Sequence, residues 1–245
     1  GEDHPDTLQA AHFLASCLHA VGAFEQARQL NVDTLARQRR VFGDDDIDVQ
    51  RSVNDLANNL RALGEVEAAR QLHADVLAHR RRVLGDDHPY TINAVSCLGR
   101  DLYELGQVKA ARQLHEDSLA RARRVLGEDH LWTIGSANNL ARDLQVLGEA
   151  KAARLLAEDT LSRARRVLGD ESHVTIDTAN ILAAALQALD ELEAARQLSE
   201  DTFAWARRVF GEDHPRTRKA ANNLAAALCL LREVESSRRA ADVDG

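Results

Sequence analysis

The sequence predicts an all-helical fold, an α-solenoid of antiparallel helix hairpins stacked side by side. Three observations predict it. Gly1, Gly43, Gly85, Gly127, Gly169 and Gly211 recur every 42 residues along a chain of 245, without insertion. Two leucine columns keep the same beat: Leu14, Leu56, Leu98, Leu140, Leu182, Leu224, and Leu18, Leu60, Leu102, Leu144, Leu186, Leu228. Glycine (13) and proline (3) are scarce while Ala, Leu, Arg and Glu abound, which favours helix.

Each repeat divides into two helices, as the second copy shows. "IDVQRSVNDLANNLRAL" places Val53, Leu56, Leu60 and Leu63 at helical spacing. Gly64 ends that helix, as a left-handed residue past a helix terminus does. "EVEAARQLHADVLAHRRRVL" then puts Val66, Ala69, Leu72, Val76, Leu77 and Val83 on one side, up to Gly85. The phrase "DDHP" restarts the chain: Asp or His caps, and Pro89 suits a first helical turn. Neither helix buries its apolar stripe alone, so consecutive hairpins must stack. Aromatics are only 4% of the chain, so Leu, Ala and Val build the core. Truncating Leu98 or Leu140 to alanine is expected to cost about 2–5 kcal/mol. Ala27, Ala69, Ala111, Ala153 and Ala195 mark a close helix approach, broken only by Ser237.

The whole chain is thus one repeat domain, 1–245, with copies at 1–42, 43–84, 85–126, 127–168, 169–210 and a truncated sixth at 211–245. The absence of methionine and the start at a joint suggest a piece of a longer protein, with further chain packing on Phe13 and Cys17. In the last copy Arg232 replaces the turn glycine, so the segment runs on as one bent helix or frays after Arg239. Leu230 and Leu231 form a candidate homodimer contact at that end.

Composition excludes several classes. A net charge of −8 argues against nucleic acid and against anionic membrane surfaces. No apolar run reaches membrane-spanning length, and a cytoplasmic location is expected. Cys17, Cys97 and Cys229 lie far apart and read as free thiols. No phosphate loop, nucleophile elbow or metalloprotease motif occurs, so neither an enzyme nor a cofactor is expected. Of ten histidines, His4, His88, His130, His173 and His214 belong to the joints and read as caps; His73 and His115 face the hairpin core as a candidate stacked pair. No ligand-spaced set around them suggests a metal. The paired arginines at 39–40, 81–82, 123–124, 165–166 and 207–208 read as salt-bridge lacing with Asp33, Asp75, Asp117 and Asp159 on the same helices.

"ANNLARDLQVLGEAKAARLL" and "VNDLANNLRALGEVEAARQL" resemble the tetratricopeptide repeat, and the 42-residue period with "LGDDHP" resembles its kinesin-light-chain type. Asp190 and Arg232 depart from the pattern at the turn glycine, and Leu stands where the family often has Tyr. The resemblance implies a right-handed superhelix whose first helices line a concave face. It also implies a non-enzymatic protein- or peptide-binding scaffold, as in the sensor half of bacterial NB-ARC signalling ATPases or in free adaptors.

On that implied face Arg51, Asn54, Asn58, Arg61, Asn93, Arg100, Asn138, Asn139 and Arg142 form a groove of amides and guanidiniums. Asparagine can bond a peptide's N–H and C=O together, and arginine grips carboxylates with paired bonds. The expected partner is an extended peptide, acidic or with a free C-terminus. Asp55 and Glu104 dilute the positive field, and Asp101 and Asp143 face elsewhere, towards neighbouring arginines. The alternatives are a small-molecule inducer in the same groove, or self-assembly without a groove ligand.

Overall fold

The structure, a computed structural model, describes residues 1–243, with side chains through residue 237. The described residues form eleven helices and no strand. The hairpins are α1 (Pro5–Ala20) with α2 (Phe24–Phe42), α3 (Ile47–Ala62) with α4 (Val66–Leu84), and α5 (Pro89–Glu104) with α6 (Val108–Leu126). Then follow α7 (Leu131–Val146) with α8 (Ala150–Leu168), α9 (His173–Ala188) with α10 (Leu192–Phe210), and α11 (Pro215–Val243) by itself. In α11 the chain stays helical through Arg232, where earlier copies turn, so the last copy is one helix of 29 residues.

Two compact units divide the chain, Gly1–Arg121 and Ala122–Gly245. In the first, α1 packs on α2, α2 on α3, α3 on α4 and α4 on α5. Its core joins Leu35, Val49, Val53, Val76, Leu77 and Val95, with Leu56, Leu72 and Leu98 packed against it. In the second, α7 to α11 pack in sequence, and α9 also meets α7 and α11. Ala141, Leu161, Leu182, Leu186 and Ala195 lie at that core. The alanine column is fully buried in every copy from Ala27 to Ala195, so nothing larger fits where the paired helices touch.

Three apolar assignments change, one of them Leu228 on α11, which is 37% exposed. Val83 is 49% exposed, and Val41, Val125, Val167 and Val209 are exposed with it. The second helix of each hairpin has 19 residues and the first only 16, so the longer helix outruns its partner and its last turn is left uncovered. Leu14 is 53% exposed; among the described helices α1 packs on α2 and α3.

Capping follows the period rather than the residue type. His4, Asp46, His88, His130, Ser172 and His214 lie 42 apart, and each side chain accepts the N–H two residues on. His173, expected among the caps, is instead the first residue of α9, and the Ser172 hydroxyl takes its place. A second fastening was not singled out in the sequence: Thr133 and Thr175 donate their hydroxyls to the carbonyls of Gly127 and Gly169, both at 2.7 Å.

The paired arginines do lace the surface, with other partners than expected. The first of each pair reaches the acid of the joint that follows: Arg39 to Asp44, Arg81 to Asp86, Arg123 to Glu128, Arg165 to Asp170. The second reaches back to the preceding joint: Arg82 to Asp45, Arg166 to Asp129, Arg208 to Glu171. Asp117 and Asp159 are held instead by Arg121 and Arg163, one turn away on the same helix.

Asp190 occupies the turn position filled by glycine in the four earlier copies, and it keeps the left-handed backbone, with φ 62° against 79° at Gly148. A side chain there is strained. Asp190→Gly is therefore expected to raise unfolding stability by about 1 kcal/mol, read as a higher urea midpoint at unchanged slope. An unchanged or lower midpoint contradicts this account of the turn.

Candidate functional site

The candidate residues sit on first helices; those of α3 and α5 are spaced by three, four or seven so that each set shares a helix face, and on α7 Arg142 is three and four residues from the adjacent Asn139 and Asn138. Helix α3 carries Arg51, Asn54, Asn58 and Arg61, and α5 carries Asn93 and Arg100. All six belong to the first unit. Asn138, Asn139 and Arg142 lie on α7 in the second.

Their surroundings differ. Arg51 is partly exposed and donates to Asp48 on its own helix at 2.8 Å. Arg61 is only 14% exposed and is committed to two carboxylates of α5: Glu104 at 2.7 Å and Asp101 at 3.7 Å. So Glu104 does more than dilute the field; it occupies this guanidinium. Asn93 accepts a weak bond from the Cys97 thiol at 3.7 Å. In the second unit Arg142 donates to Asn139 at 3.1 Å. Asn54 is buried and Asn138 half-buried, and the Oδ1 of each has no partner among the described residues. These two residues are equivalent, two periods apart.

The asparagine column also holds helices together. Asn223 on α11 donates to both the backbone and the side-chain oxygen of Asn180 on α9, at 3.0 and 3.1 Å. Asn180 is buried, so at that copy the column serves the stack.

Sequence reasoning missed one residue and one pairing beside this face. Arg80 on α4 is 4% exposed, donates to the Tyr90 carbonyl at 3.0 Å and stacks over the Tyr90 ring. Burial pushes its pKa down. The available signal was a lone arginine in a column that elsewhere reads Gln38, Ala122, Ala164 and Ala206. Second, His73 and Asp101 are both fully buried and meet at 2.5 Å across the two hairpins. Asp101 thus has the expected arginine neighbour in Arg61, but its closer partner is an imidazole 28 residues upstream. His73 is therefore held by a carboxylate of the next hairpin, while His115 lies beside the Ser96 carbonyl at 3.3 Å.

The face offers hydrogen-bond donors and acceptors. Burial raises the pKa of the Cys97 thiol, which disfavours the nucleophilic thiolate. Among the described residues no group of three or more His, Cys, Asp or Glu is placed to hold a metal. None of the described helices is long and apolar enough to cross a membrane.

A tetratricopeptide-repeat model matches residues 90–166 and 174–241, more than half of the chain. A second model of the same family matches residues 7–48 and 49–90.

The chain belongs to the tetratricopeptide repeat family.

The tetratricopeptide repeats of this chain are similar to those of a Podosopora anserina structure described as kinesin light chain with nearly identical TPR-like repeats. The two share 26% identity over 84% of this chain and 98% of that one, with a TM-score of 0.64. BtubC (BKLC) of P. vanneervenii shares the fold at 18% identity over 96% of this chain and 92% of that one, TM-score 0.59. A Rap protein solved with Competence and Sporulation Factor shares it at 16% identity over 94% and 66%, TM-score 0.62. No curated protein matches the sequence.

Proposed function

We propose that this repeat array is a non-enzymatic scaffold that binds an extended peptide or protein segment on its first-helix faces, as the sensor or adaptor part of a larger signalling protein. The observation that carries this is the pair of equivalent acceptors at Asn54 and Asn138, one in each unit, with no partner among the described residues. A buried carbonyl oxygen left unbonded is costly, and the N–H of a passing peptide backbone satisfies it. Arg51, Asn58, Asn93 and Arg100 beside Asn54, and Asn139 and Arg142 beside Asn138, favour an acidic partner or a free C-terminus. Arg61 takes part through Glu104, by fixing the edge of the face rather than by gripping the ligand.

A peptide-library pull-down tests this, with each unit's arginines varied separately. Wild type is expected to enrich acidic or free-carboxylate peptides. Arg51→Ala/Arg100→Ala, or Arg142→Ala, is expected to weaken that enrichment about tenfold, the loss of roughly one charge-assisted bond. Asn54→Leu is expected to weaken all bound peptides alike, since it removes a backbone contact. Unselective capture, or capture untouched by these changes, defeats the proposal.

A further inference from the structure

The period places Asn31 of α2 and Asn59 of α3 where the next hairpin pair has His73 and Asp101, again 28 residues apart. There an imidazole and a carboxylate close on each other at 2.5 Å. Here the two amides do not, Asn31 being shorter than the histidine it replaces. They line a cleft of about 120 Å³ together with Ala15, Ser16, His19, Asp55 and Asn58, all within the first unit. Asn31 and Asn59 are each 1% exposed. Neither the oxygen nor the nitrogen of the Asn31 side chain has a hydrogen-bond partner, nor has the Asn59 nitrogen, among the described residues. The Asn59 oxygen is taken, facing His19 Nδ1 at 2.6 Å.

Such orphaned groups are rare in native interiors, and these share one cleft with room for a ligand. Their chemistry is specific. Asn31 Nδ2 and Asn59 Nδ2 are donors awaiting an acceptor, and Asn31 Oδ1 is an acceptor awaiting a donor. Asp55 is the one formally charged residue lining the cleft. Its carboxylate also lies 3.5 Å from the Ser16 hydroxyl and 3.6 Å from His12 Nε2. Two donors set beside an acceptor and a carboxylate complement an ammonium next to a carbonyl.

We infer that the cleft between α1, α2 and α3 binds an α-amino-acid head, an α-ammonium group beside a carbonyl carbon. Asp55 and Asn31 Oδ1 receive the ammonium, and the amide nitrogens of Asn31 and Asn59 donate to the carbonyl or carboxylate oxygen. A free amino acid and a peptide N-terminus both carry this head. The site goes beyond the peptide-backbone role proposed for Asn54 and Asn138, and its failure leaves that pull-down untouched.

The test is a titration of the isotope-labelled chain, following by NMR the backbone amides of the cleft residues Ala15, Ser16, His19, Asp55 and Asn58, which every variant retains, with the Asn31 and Asn59 side-chain amides as well where they are present. Glycine stands for the free amino acid, glycinamide for a peptide N-terminus, and N-acetylglycinamide lacks the ammonium. Saturable shifts with glycine or glycinamide are expected, and the tighter of the two identifies the source. N-acetylglycinamide is expected to bind about tenfold more weakly or worse, as is glycinamide to Asp55→Asn. The Asp55 side chain is 30% exposed, so that variant keeps its fold. Asn31→His/Asn59→Asp copies the neighbouring pair into the cleft and is expected to abolish binding while helix content stays unchanged. Absence of saturable shifts with both ammonium probes means the cleft holds water alone and overturns the inference. Equal binding of the acetylated probe, or undiminished binding by Asp55→Asn or the filled variant, overturns it as well.

Discussion

Gly99→Ala is expected to destabilise the first unit, although alanine is the usual residue at this place. Ala15, Ala57, Ala141 and Ala183 occupy the equivalent positions. In a helix interior the change would ordinarily stabilise by about 1 kcal/mol. At Gly99 a Cβ would stand 2.5 Å from His115 Nε2 and 2.7 Å from its Cδ2. His115 is fully buried and its ring lies beside the Ser96 carbonyl, so it cannot swing away as a surface side chain would. Overpacking of this kind costs about 1–3 kcal/mol, and with contact this close it outweighs the propensity gain. A net loss of about 1–2 kcal/mol is expected in urea unfolding, with faster amide exchange concentrated in α5. The companion variant is Gly99→Ala/His115→Ala, which copies the Ala141 and Ala157 pair of the second unit. It is expected to be less damaged than the two single changes summed. A plain stabilisation by Gly99→Ala would refute the close packing.

The glycine and its histidine show what the sequence discloses and what it withholds. The hairpins, their joints and the alanine contact were legible because a stacked array must present the same faces at each copy, so selection for packing leaves a period. His115 was legible as a core residue for the same reason. That it excludes a Cβ at Gly99 was not, because the exclusion depends on which way one ring turns. The candidate site behaves likewise. Spacing placed Arg51, Asn54, Asn58 and Arg61 on one face of α3, which holds. It did not reveal that Glu104, 43 residues on, already binds Arg61. Nor did it mark Asn31 and Asn59, since an unsatisfied amide is defined by what fails to reach it. Periodic positions report packing, whereas departures such as Gly99 and Arg80 report contacts particular to one copy.

The His73 and Asp101 pair leads to the largest single effect expected of this protein. Both side chains are fully buried, and among the described residues the carboxylate pairs with His73 Nδ1 at 2.5 Å and with the more distant Arg61 Nε at 3.7 Å. His73→Ala strips a buried carboxylate of its close partner, a change that costs about 3–5 kcal/mol. Asp101→Ala removes the charge itself and leaves an unpaired imidazole, at a smaller cost of about 1–3 kcal/mol. Arg61 also pairs with Glu104, at 2.7 Å, so the candidate face of α3 is expected to be preserved in either variant. Nature supplies the control within the chain: Ala157 and Ala185 occupy the same two positions in the second unit, both fully buried. The double variant His73→Ala/Asp101→Ala is therefore expected to be more stable than His73→Ala alone, despite removing more atoms, because no charge is left stranded. Urea unfolding of the three variants decides the matter. If the double variant falls below His73→Ala, the pair acts by filling space, and the charge on Asp101 is not what His73 compensates.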